Sequence, residues 1–435
     1  MWMYPPQQYR THLMRPSLID SAKIKVKPLS CEEFPHPPNQ GGNPVCTIEN
    51  IQYLLHKYGV RVGYDVISKK LNIEIPNYTG TLDNSDNVKM AHIMSLVTLN
   101  GMSKSSVPEY VLAIADQNTI NPVTGWIDST PWDNVNRLPD FYDTLTCIES
   151  YPKELKETLI YRWLLSAVAA AYKPRGFKSR GVLTLQGPQS IGKTAWVSSL
   201  VPDSVLCEQV VRLDHHLDAN NKDSIMTAVS HWLVEIGELD SSFKKDIARL
   251  KGFLTCDSDK LRRPYGRTDS KYQRKTVFCA TVNEANFLVD RTGNTRFWTI
   301  PVTKINFKHD VNMQQLFAQI LISYNAEEQW WLTTDEEALL EEYNKSHRVV
   351  SLVEEKIMLI IATKESSNSE VKTLTATEVL KRAGFDYPTN SQCKEAALVL
   401  RSSFGQSKRI RGNNKWSVPL ITLNVSSLEC DDDKY

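Results

Sequence analysis

Eight residues near the middle of the chain have the types and spacing of a loop that binds a polyphosphate. Residues 187–194 read GPQSIGKT and fit G-x-x-x-x-G-K-[ST] at every fixed position. In such a loop the backbone N–H groups turn toward the phosphates, a lysine reaches the β- and γ-phosphates, and a hydroxyl binds Mg²⁺. We therefore predict that ATP binds here with Mg²⁺ as cofactor. The predicted nucleotide contacts are Gly187, Pro188, Gln189, Ser190, Ile191, Gly192, Lys193, Thr194 and Ala195.

The flanking sequence predicts the two elements that must position this loop. Residues 181–186 (GVLTLQ) form a short apolar run, as expected of a buried strand, and residues 193–200 have a helical pattern. A helix that begins at the loop would direct the positive end of its dipole at the same anion. The motif therefore lies in the strand–turn–helix context that phosphate binding requires.

Two carboxylates near a second apolar run could complete the chemistry of phosphoryl transfer to water. The segment HWLVEIGEL contains Glu235 and Glu238. Hydrolysis needs one group that holds Mg²⁺ and another that orients or deprotonates the attacking water. We expect Glu238 to be the catalytic carboxylate and Glu235 to bind the metal with Thr194. The residues alone do not decide which acid has which role.

An asparagine and two arginines follow at positions where they could contact the γ-phosphate. The apolar run TVFCATV ends at Asn283, whose amide could hydrogen-bond both the γ-phosphate and the attacking water. The segment DRTGNTRFW then places Arg291 and Arg296 on either side of a glycine. An arginine can stabilise charge that develops on the γ-phosphoryl group, and a neighbouring subunit can supply it. Either arginine is a candidate, and a structural salt bridge is the alternative.

A strongly basic segment lies between the acidic strand and Asn283. Residues 249–275 contain nine Lys or Arg and three Asp, a local charge of +6 in a chain whose net charge is +1. Such a segment suits contacts to DNA phosphates, and a tyrosine within it could stack on a base. A solvated charged face is the alternative. The predicted DNA contacts, in a hairpin over residues 258–272, are Lys260, Arg262, Arg263, Tyr265, Arg267 and Lys271.

The whole sequence indicates an α/β protein of about three domains. Short apolar runs between residues 181 and 302 (GVLTLQ, SVLCEQVV, HWLVEIG, TVFCATV and RFWTIPV) are predicted strands, and a helix is predicted to start at Thr47. Hydrophobic residues make up 41% and charged residues 23%, as in folded globular proteins. With no long apolar run, no signal peptide and eight cysteines without a C-x-x-C pair, we expect a cytoplasmic protein with reduced thiols and no membrane partner. The predicted divisions are an extended arm (1–45), an N-terminal helical module (46–175), the ATPase core (176–305), a helical extension (306–364), a winged-helix-like domain (371–422) and an acidic tail (423–435).

The winged-helix prediction rests on two helices followed by a basic hairpin. Thr375 and Glu378 have the spacing of a capping box, and the hairpin is expected to turn at Gly412–Asn413. Its cations could contact duplex DNA, and they are Lys408, Arg409, Arg411 and Lys415. Trp330 and Trp331, in the helical extension, are expected in the core.

These motifs together resemble the virulence-associated protein E family of phages, prophages and mobile islands, whose ATPase core is similar to superfamily 3 helicases of the AAA+ class. The resemblance spans roughly residues 45–350 and includes GPQSIGKT, WLVEIGELD, TVNEANFLVDRTGNTRFWTIPV and QWWLTTDEEALLEE. Ser190 stands where the family usually has more glycine. The resemblance implies a Walker A motif (Gly187, Gly192, Lys193, Thr194), Walker B acids (Glu235, Glu238), a sensor (Asn283), an arginine finger (Arg296) and a DNA-contacting hairpin (Lys260–Arg267).

The function implied is that of an ATP-hydrolysing DNA helicase or replication-initiation ATPase of a mobile element. We expect a homo-oligomer, in the form of a hexameric ring, that moves the hairpin along DNA and works with a primase or another replication protein. Two alternatives stay open. One is an origin-binding or regulatory protein whose assembly ATP switches without unwinding, and the other is a small-molecule kinase.

Overall fold

The computed structural model describes residues 26–78, 84–237, 239, 249–261, 270–288, 294–361 and 369–421. The chain divides into two compact units, Met1–Ser129 with Val229–His231 and Thr130–Ala228 with Trp232–Tyr435. This division differs from the boundary that the sequence predicts at residue 175. None of the helices in the described ranges has both the length and the apolar character that crossing a bilayer requires.

The first unit contains a three-stranded sheet as well as helices. Its elements are α1 (Ile48–Lys57), β1 (Arg61–Asp65), β2 (Lys70–Glu74), α2 (Ser85–Leu99), α3 (Val107–Gln117), β3 (Thr119–Ile120) and α4 (Pro122–Ile127). Helix α1 begins where predicted, because the Thr47 side chain accepts a hydrogen bond from the Asn50 N–H. The sequence predicts only helices here and misses the three strands. Strands of two to five residues are too short to show a clear alternation of apolar and polar residues.

Part of the predicted extended arm is packed. Phe34 is 6% exposed in the core of the first unit, and its ring lies 5.5 Å from that of Tyr53. The proline content of this segment limits its backbone conformation, but it does not prevent one aromatic side chain from being buried. Residues 1–25 lie outside the described ranges.

The second unit is built on a six-stranded sheet of β4 (Leu145–Cys147), β5 (Val182–Gln186), β6 (Val211–His215), β7 (Leu233–Ile236), β10 (Val277–Val282) and β11 (Phe297–Ile305), whereas β8 (Ser258–Leu261) and β9 (Ser270–Gln273) pair with each other. The strand order in the sheet is β4-β11-β5-β10-β7-β6. Strand β4 is antiparallel to β11, and the other neighbours are parallel. The carboxyl ends of the parallel strands therefore meet at one edge, where α/β sheets bind ligands.

Helices accompany this sheet along the chain. They are α5 (Leu138–Tyr142), α6 (Lys153–Tyr172), α7 (Lys193–Ser199), α8 (Ser204–Val210), α9 (Lys222–Val229), α10 (Met313–Asn325), α11 (Thr334–Asn344) and α12 (Leu352–Ile360). Helix α6 is mostly buried, and the indole N–H of Trp163 donates to the Phe278 carbonyl at 2.8 Å. Because α6 packs on the central sheet, it belongs to this unit and not to the predicted N-terminal module.

One predicted strand is a helix. The run SVLCEQVV forms α8, and the strand β6 begins only at its last residue, Val211. The Asp203 carboxylate accepts a hydrogen bond from the Leu206 N–H and so caps the helix. A short apolar run does not distinguish a strand from a helix, and here the cap decides.

The C-terminal part of the second unit has a small sheet and a hydrophobic cluster of its own. Its further elements are β12 (Ser369–Leu374), α13 (Ala376–Arg382), α14 (Asn390–Phe404), β13 (Lys408–Ile410) and β14 (Asn413–Ile421), with the strand order β12-β14-β13. The capping box of Thr375 and Glu378 is confirmed. The turn between β13 and β14 comprises Arg411 and Gly412, both with positive φ. Residues 422–435, predicted as an acidic tail, lie outside the described ranges.

Lys275 gives a prediction about stability. Its ammonium donates to the carbonyls of Ala171 (3.0 Å) and Lys173 (2.8 Å) at the end of α6, and burial lowers its pKa from 10.5 to about 8. Between these pH values the unfolded chain binds more protons than the folded chain, so the contribution of Lys275 to the free energy of unfolding rises with pH, by on the order of 1.4 kcal/mol for each pKa unit. Urea unfolding of the wild type and of Lys275→Met should diverge in this window, and a constant difference between them would contradict the assignment.

Candidate functional site

Residues 187–192, which we call the glycine loop, connect β5 to α7 as the sequence predicts. Gly192 precedes the helix with φ of 96°, in the left-handed region where glycine is unstrained. A Cβ at this position would lie 2.4 Å from the ring of Phe307. Both the backbone conformation and the space available therefore require glycine here.

The first glycine of the loop is required for space alone. A Cβ on Gly187 would lie 2.2 Å from the carbonyl oxygen of Val302 on β11. Ser190, by contrast, adopts φ of 65° although it has a side chain, which costs roughly 1 kcal/mol or more. The loop thus keeps a tight turn at a position that has a side chain.

Lys193 is the cation of the site. Its Nζ donates to the carbonyl oxygens of Gly187 (2.7 Å) and Pro188 (2.8 Å) and to Oδ1 of Asn283 (2.8 Å). Burial lowers the pKa of Lys193, whereas the negative charge of Glu235 acts to raise it. Because all three acceptors are neutral, an anionic ligand is the partner that would best stabilise this ammonium.

Glu235 is fully buried near the end of β7 and accepts three hydrogen bonds. Its Oε1 accepts from the hydroxyls of Thr194 (2.6 Å) and Thr281 (3.0 Å), and its Oε2 accepts from the backbone N–H of Asp214 (3.1 Å). The structure therefore brings together Thr194 and Glu235, the two residues that the sequence predicts as metal ligands. A hydroxyl and a carboxylate are hard oxygen donors of the kind that Mg²⁺ prefers.

Lys193 and Thr194 line a cavity of about 350 Å³ at the carboxyl edge of the sheet, whereas the buried Glu235 contacts two of the lining hydroxyls without being part of the lining. Six of the nine predicted nucleotide contacts line the cavity, while Gly187, Pro188 and Ile191 form loop backbone outside the lining. The predicted sensor, Asn283, also lines it. The full lining is Gln189, Ser190, Gly192, Lys193, Thr194, Ala195, Asp214, Thr281 and Asn283.

Two lining residues, Asp214 and Thr281, were not predicted. Asp214 lies near the end of β6 with φ of 48°, and a Cβ on Gly237 would meet its Oδ1 at 1.9 Å. Its carboxylate therefore lies over Gly237, next to the strand that contains Glu235. An acid near the end of a strand is the pattern that could have identified Asp214. The sequence instead predicts the strand over the residues of α8, so Asp214 falls beyond its predicted end. Thr281 lies inside β10, and a single threonine within a strand does not by itself indicate that its side chain lines a cavity.

Arg296 lies at the opposite edge of the sheet from this cavity. It immediately precedes β11, whose first residue, Phe297, pairs with Val182 at the start of β5. Strand β5 then runs five residues before the glycine loop begins, a distance of roughly 16 Å at the usual strand rise. That distance exceeds the length of an arginine side chain. The structure therefore does not place Arg296 in the cavity of its own chain.

The predicted DNA hairpin begins as two paired strands, β8 (Ser258–Leu261) and β9 (Ser270–Gln273). Lys260 is directly opposite Lys271, and both side chains are exposed. Like charges in this position destabilise a strand pair, so a bound anion between them would stabilise the hairpin. The other predicted contacts, Arg262, Arg263, Tyr265 and Arg267, lie outside the described residues, as do Glu238 and Arg291.

The cations predicted in the C-terminal hairpin lie on β13 and β14 and in the turn between them. Lys408, Arg409 and Arg411 are exposed, and Lys408 is directly opposite Lys415. Lys415 is half-buried and lies 3.9 Å from the carboxylate of Glu378. Three of the four cations are therefore free to meet a large anionic ligand.

Comparison with known proteins identifies the family. A model of the virulence-associated protein E-like domain matches residues 127–349. The chain is also similar to two A form apo structures of the NrS-1 C terminal region, with 15% and 13% identity over 85% and 86% of this chain and 98% of each other chain, at a TM-score of 0.45 for both. None of the curated proteins compared with the chain matches it. Because the family model spans just over half of the 435 residues, the chain belongs to the virulence-associated protein E-like family.

Proposed function

We propose that this protein is a P-loop ATPase that acts on DNA during the replication of a phage or another mobile element, and that it works as a helicase in a ring of identical subunits. The observation that supports the ATPase most directly is the hydrogen bond of 2.6 Å between Thr194 and the buried Glu235, beside Lys193 and the glycine loop. Membership of the virulence-associated protein E-like family supports the setting in mobile-element replication.

The residues that line the cavity, together with the adjacent Glu235, fit a magnesium nucleotide. Lys193 would exchange its neutral acceptors for oxygens of the β- and γ-phosphates and balance their charge. Thr194 and Glu235 would hold Mg²⁺, which when bound neutralises negative charge on the phosphates. The Asn283 amide would position the γ-phosphate and the attacking water. Since Glu235 already accepts three hydrogen bonds, Glu238 is the better candidate to take the proton of that water.

The position of Arg296 supports a ring. An arginine finger acts on the γ-phosphoryl group, yet Arg296 lies at the edge of the sheet opposite its own cavity. We therefore propose that it serves the cavity of a neighbouring subunit, with Arg291 as the alternative. A hexamer would place such a contact at each of its interfaces.

The basic hairpin supports DNA as the partner. The opposed, exposed pair Lys260 and Lys271 suits a bound phosphate, and residues 249–275 have a charge of +6. The C-terminal hairpin, with Lys408 opposite Lys415, supports a winged helix that binds duplex DNA. This second observation favours the alternative of an ATP-switched origin-binding protein.

Displacement of a strand from a forked substrate distinguishes a helicase from that alternative, and ATPase stimulation by single-stranded DNA excludes a small-molecule kinase.

Replacement of the cation tests the nucleotide site. We expect Lys193→Ala to reduce ATP turnover by roughly 10²-fold or more, because it removes the charge that stabilises the phosphates. The measurement is phosphate release under saturating ATP, with thermal unfolding to show that the fold persists. Lys222→Ala, which removes an exposed lysine on α9, is the control. Equal turnover in both variants would contradict the assignment.

Replacement of each acid separates their roles. We expect Glu235→Gln to weaken nucleotide binding in the presence of Mg²⁺, since it changes the carboxylate beside Thr194. Glu238→Gln should instead bind ATP normally and turn it over slowly, because only the proton acceptor is lost. Titration with a fluorescent nucleotide, with and without EDTA, measures the nucleotide affinity of each variant. Phosphate release measures its rate of ATP turnover. Hydrolysis by Glu238→Gln at the parent rate would return the catalytic role to Glu235.

Mixing two inactive variants tests the position of Arg296. A finger supplied by a neighbour contributes on the order of 10³-fold to turnover, so Arg296→Ala should bind nucleotide without hydrolysing it. When Arg296→Ala and Lys193→Ala subunits are mixed, some interfaces combine an intact loop with an intact arginine, and part of the ATPase activity should return. The same mixing experiment is carried out with Arg291→Ala in place of Arg296→Ala. No recovery in rings shown to be mixed would exclude Arg296 as a finger in trans.

A further inference from the structure

The segment that joins α6 to β5 has an unusual concentration of positive charge. Residues 173–180 read KPRGFKSR, four cations without an acid, and we call this segment the basic loop. Arg175, Lys178 and Arg180 are exposed, whereas Phe177 is 1% exposed. The apolar side chain therefore anchors the segment, and these three cations face solvent.

Hydrogen bonds fix the backbone of the basic loop. The carbonyl of Lys173 accepts from the buried Lys275 at 2.8 Å, and the backbone N–H of Gly176 donates to Oε1 of Gln273 at 3.4 Å. The hydroxyl of Ser179 donates to a backbone carbonyl at 3.1 Å. A fixed backbone lowers the entropy cost of ordering the cations on a ligand.

The basic loop adjoins the base of the predicted DNA hairpin. Gln273, which contacts the loop, is the last residue of β9. The pKa of Asp257 is lowered first by the Ser258 hydroxyl and then by the charges of Lys178 and Lys271. One lysine of the basic loop and one of the hairpin therefore act on the same carboxylate, and the hydrogen bond between Gly176 and Gln273 joins the two segments.

Two tryptophans predicted as core lie beside the basic loop. The indole N–H of Trp330 donates to the carbonyl of Lys178 (3.3 Å), its ring lies 6.1 Å from Phe177, and the ammonium of Lys173 is 5.5 Å from its centre. Trp331 packs edge-on against Trp330 and is 39% exposed. Their apolar character suggested burial, but Trp330 is only half-buried. An exposed, supported indole beside cations is a platform on which a base can stack.

We propose that the basic loop and Trp331 form a second binding site for single-stranded DNA, continuous with the hairpin. Arg175, Lys178 and Arg180 contact successive phosphates, and Trp331 stacks on a base. Only an unpaired strand offers both groups at once, because a duplex hides the faces of its bases. This inference rests on the proposed action on DNA, and it adds a contact at the amino edge of the sheet.

The cations are tested by salt dependence. Fluorescence anisotropy of a labelled oligo-dT is measured between about 50 and 200 mM salt. We expect Arg175→Ala/Lys178→Ala/Arg180→Ala to bind roughly tenfold more weakly and to lower the log–log salt slope by about 2, since each phosphate contact contributes about 0.7. The matched control is Lys70→Ala/Lys104→Ala/Lys222→Ala, which removes three exposed lysines elsewhere.

The indole is tested by removing the base. We expect Trp331→Ala to bind oligo-dT roughly tenfold more weakly, and Trp331→Phe to retain most of the affinity. On an abasic oligonucleotide Trp331→Ala and the wild type should bind equally, whereas the variant of the basic loop should still be weakened. Thermal unfolding shows that each variant is folded.

Three results would overturn the proposal, and they differ in meaning. If the variant of the basic loop behaves like its lysine control while the wild type binds oligo-dT, the second site is wrong and the proposed function stands. If Trp331→Ala binds the abasic strand more weakly than the wild type does, stacking is wrong. If the wild type itself does not bind oligo-dT, the proposed action on DNA fails, and this inference fails with it.

Discussion

The buried carboxylate of Glu235 is the constraint on which the arrangement of the site depends. A fully buried charge is costly unless hydrogen bonds satisfy it, and here three donors come from three different elements. Thr194 belongs to α7, Thr281 to β10, and Asp214 to β6, whereas Glu235 itself lies on β7. Satisfying one charge thus fixes the helix that follows the glycine loop against three neighbouring strands. Moving any one of these elements would remove one of the three hydrogen bonds of this buried side chain, which favours the observed shape of the pocket.

The two edges of the parallel part of the sheet, at the carboxyl and amino ends of its strands, have different sets of polar and charged residues. The carboxyl edge has the glycine loop, Lys193 and Glu235, and the amino edge has Arg296, the basic loop and the base of the hairpin. Strand β10 joins the two edges, since it begins just after Lys275 and ends just before Asn283, which accepts a hydrogen bond from Lys193. A displacement of this strand would therefore move residues at both edges.

The sequence predicts the parts of the site that depend on local geometry. Gly187, Gly192, Lys193 and Thr194 are recognisable because a tight turn before a helix limits the residues that can form it. The cap of α13 is recognisable for the same reason. Asp214 was missed because its role depends on strand order, and the capped helix α8 displaced the expected strand. The tryptophans were misplaced because hydrophobicity indicates burial only on average, and the packing of Phe177 on Trp330 is a tertiary contact.

Because the whole chain is nearly neutral, the positions of its clustered positive charges indicate where a polyanion could bind. With a net charge of +1, the protein has no general attraction to a polyanion, so any affinity for DNA must come from local surfaces. The basic loop and the base of the hairpin, with Lys260 and Lys271, concentrate cations at the amino edge of the sheet, and negative charge elsewhere in the chain balances them. Binding should then depend on where the strand lies and not on overall charge. A strand at the amino edge would contact the hairpin and the basic loop while leaving the carboxyl edge open to nucleotide, so the two ligands need not compete.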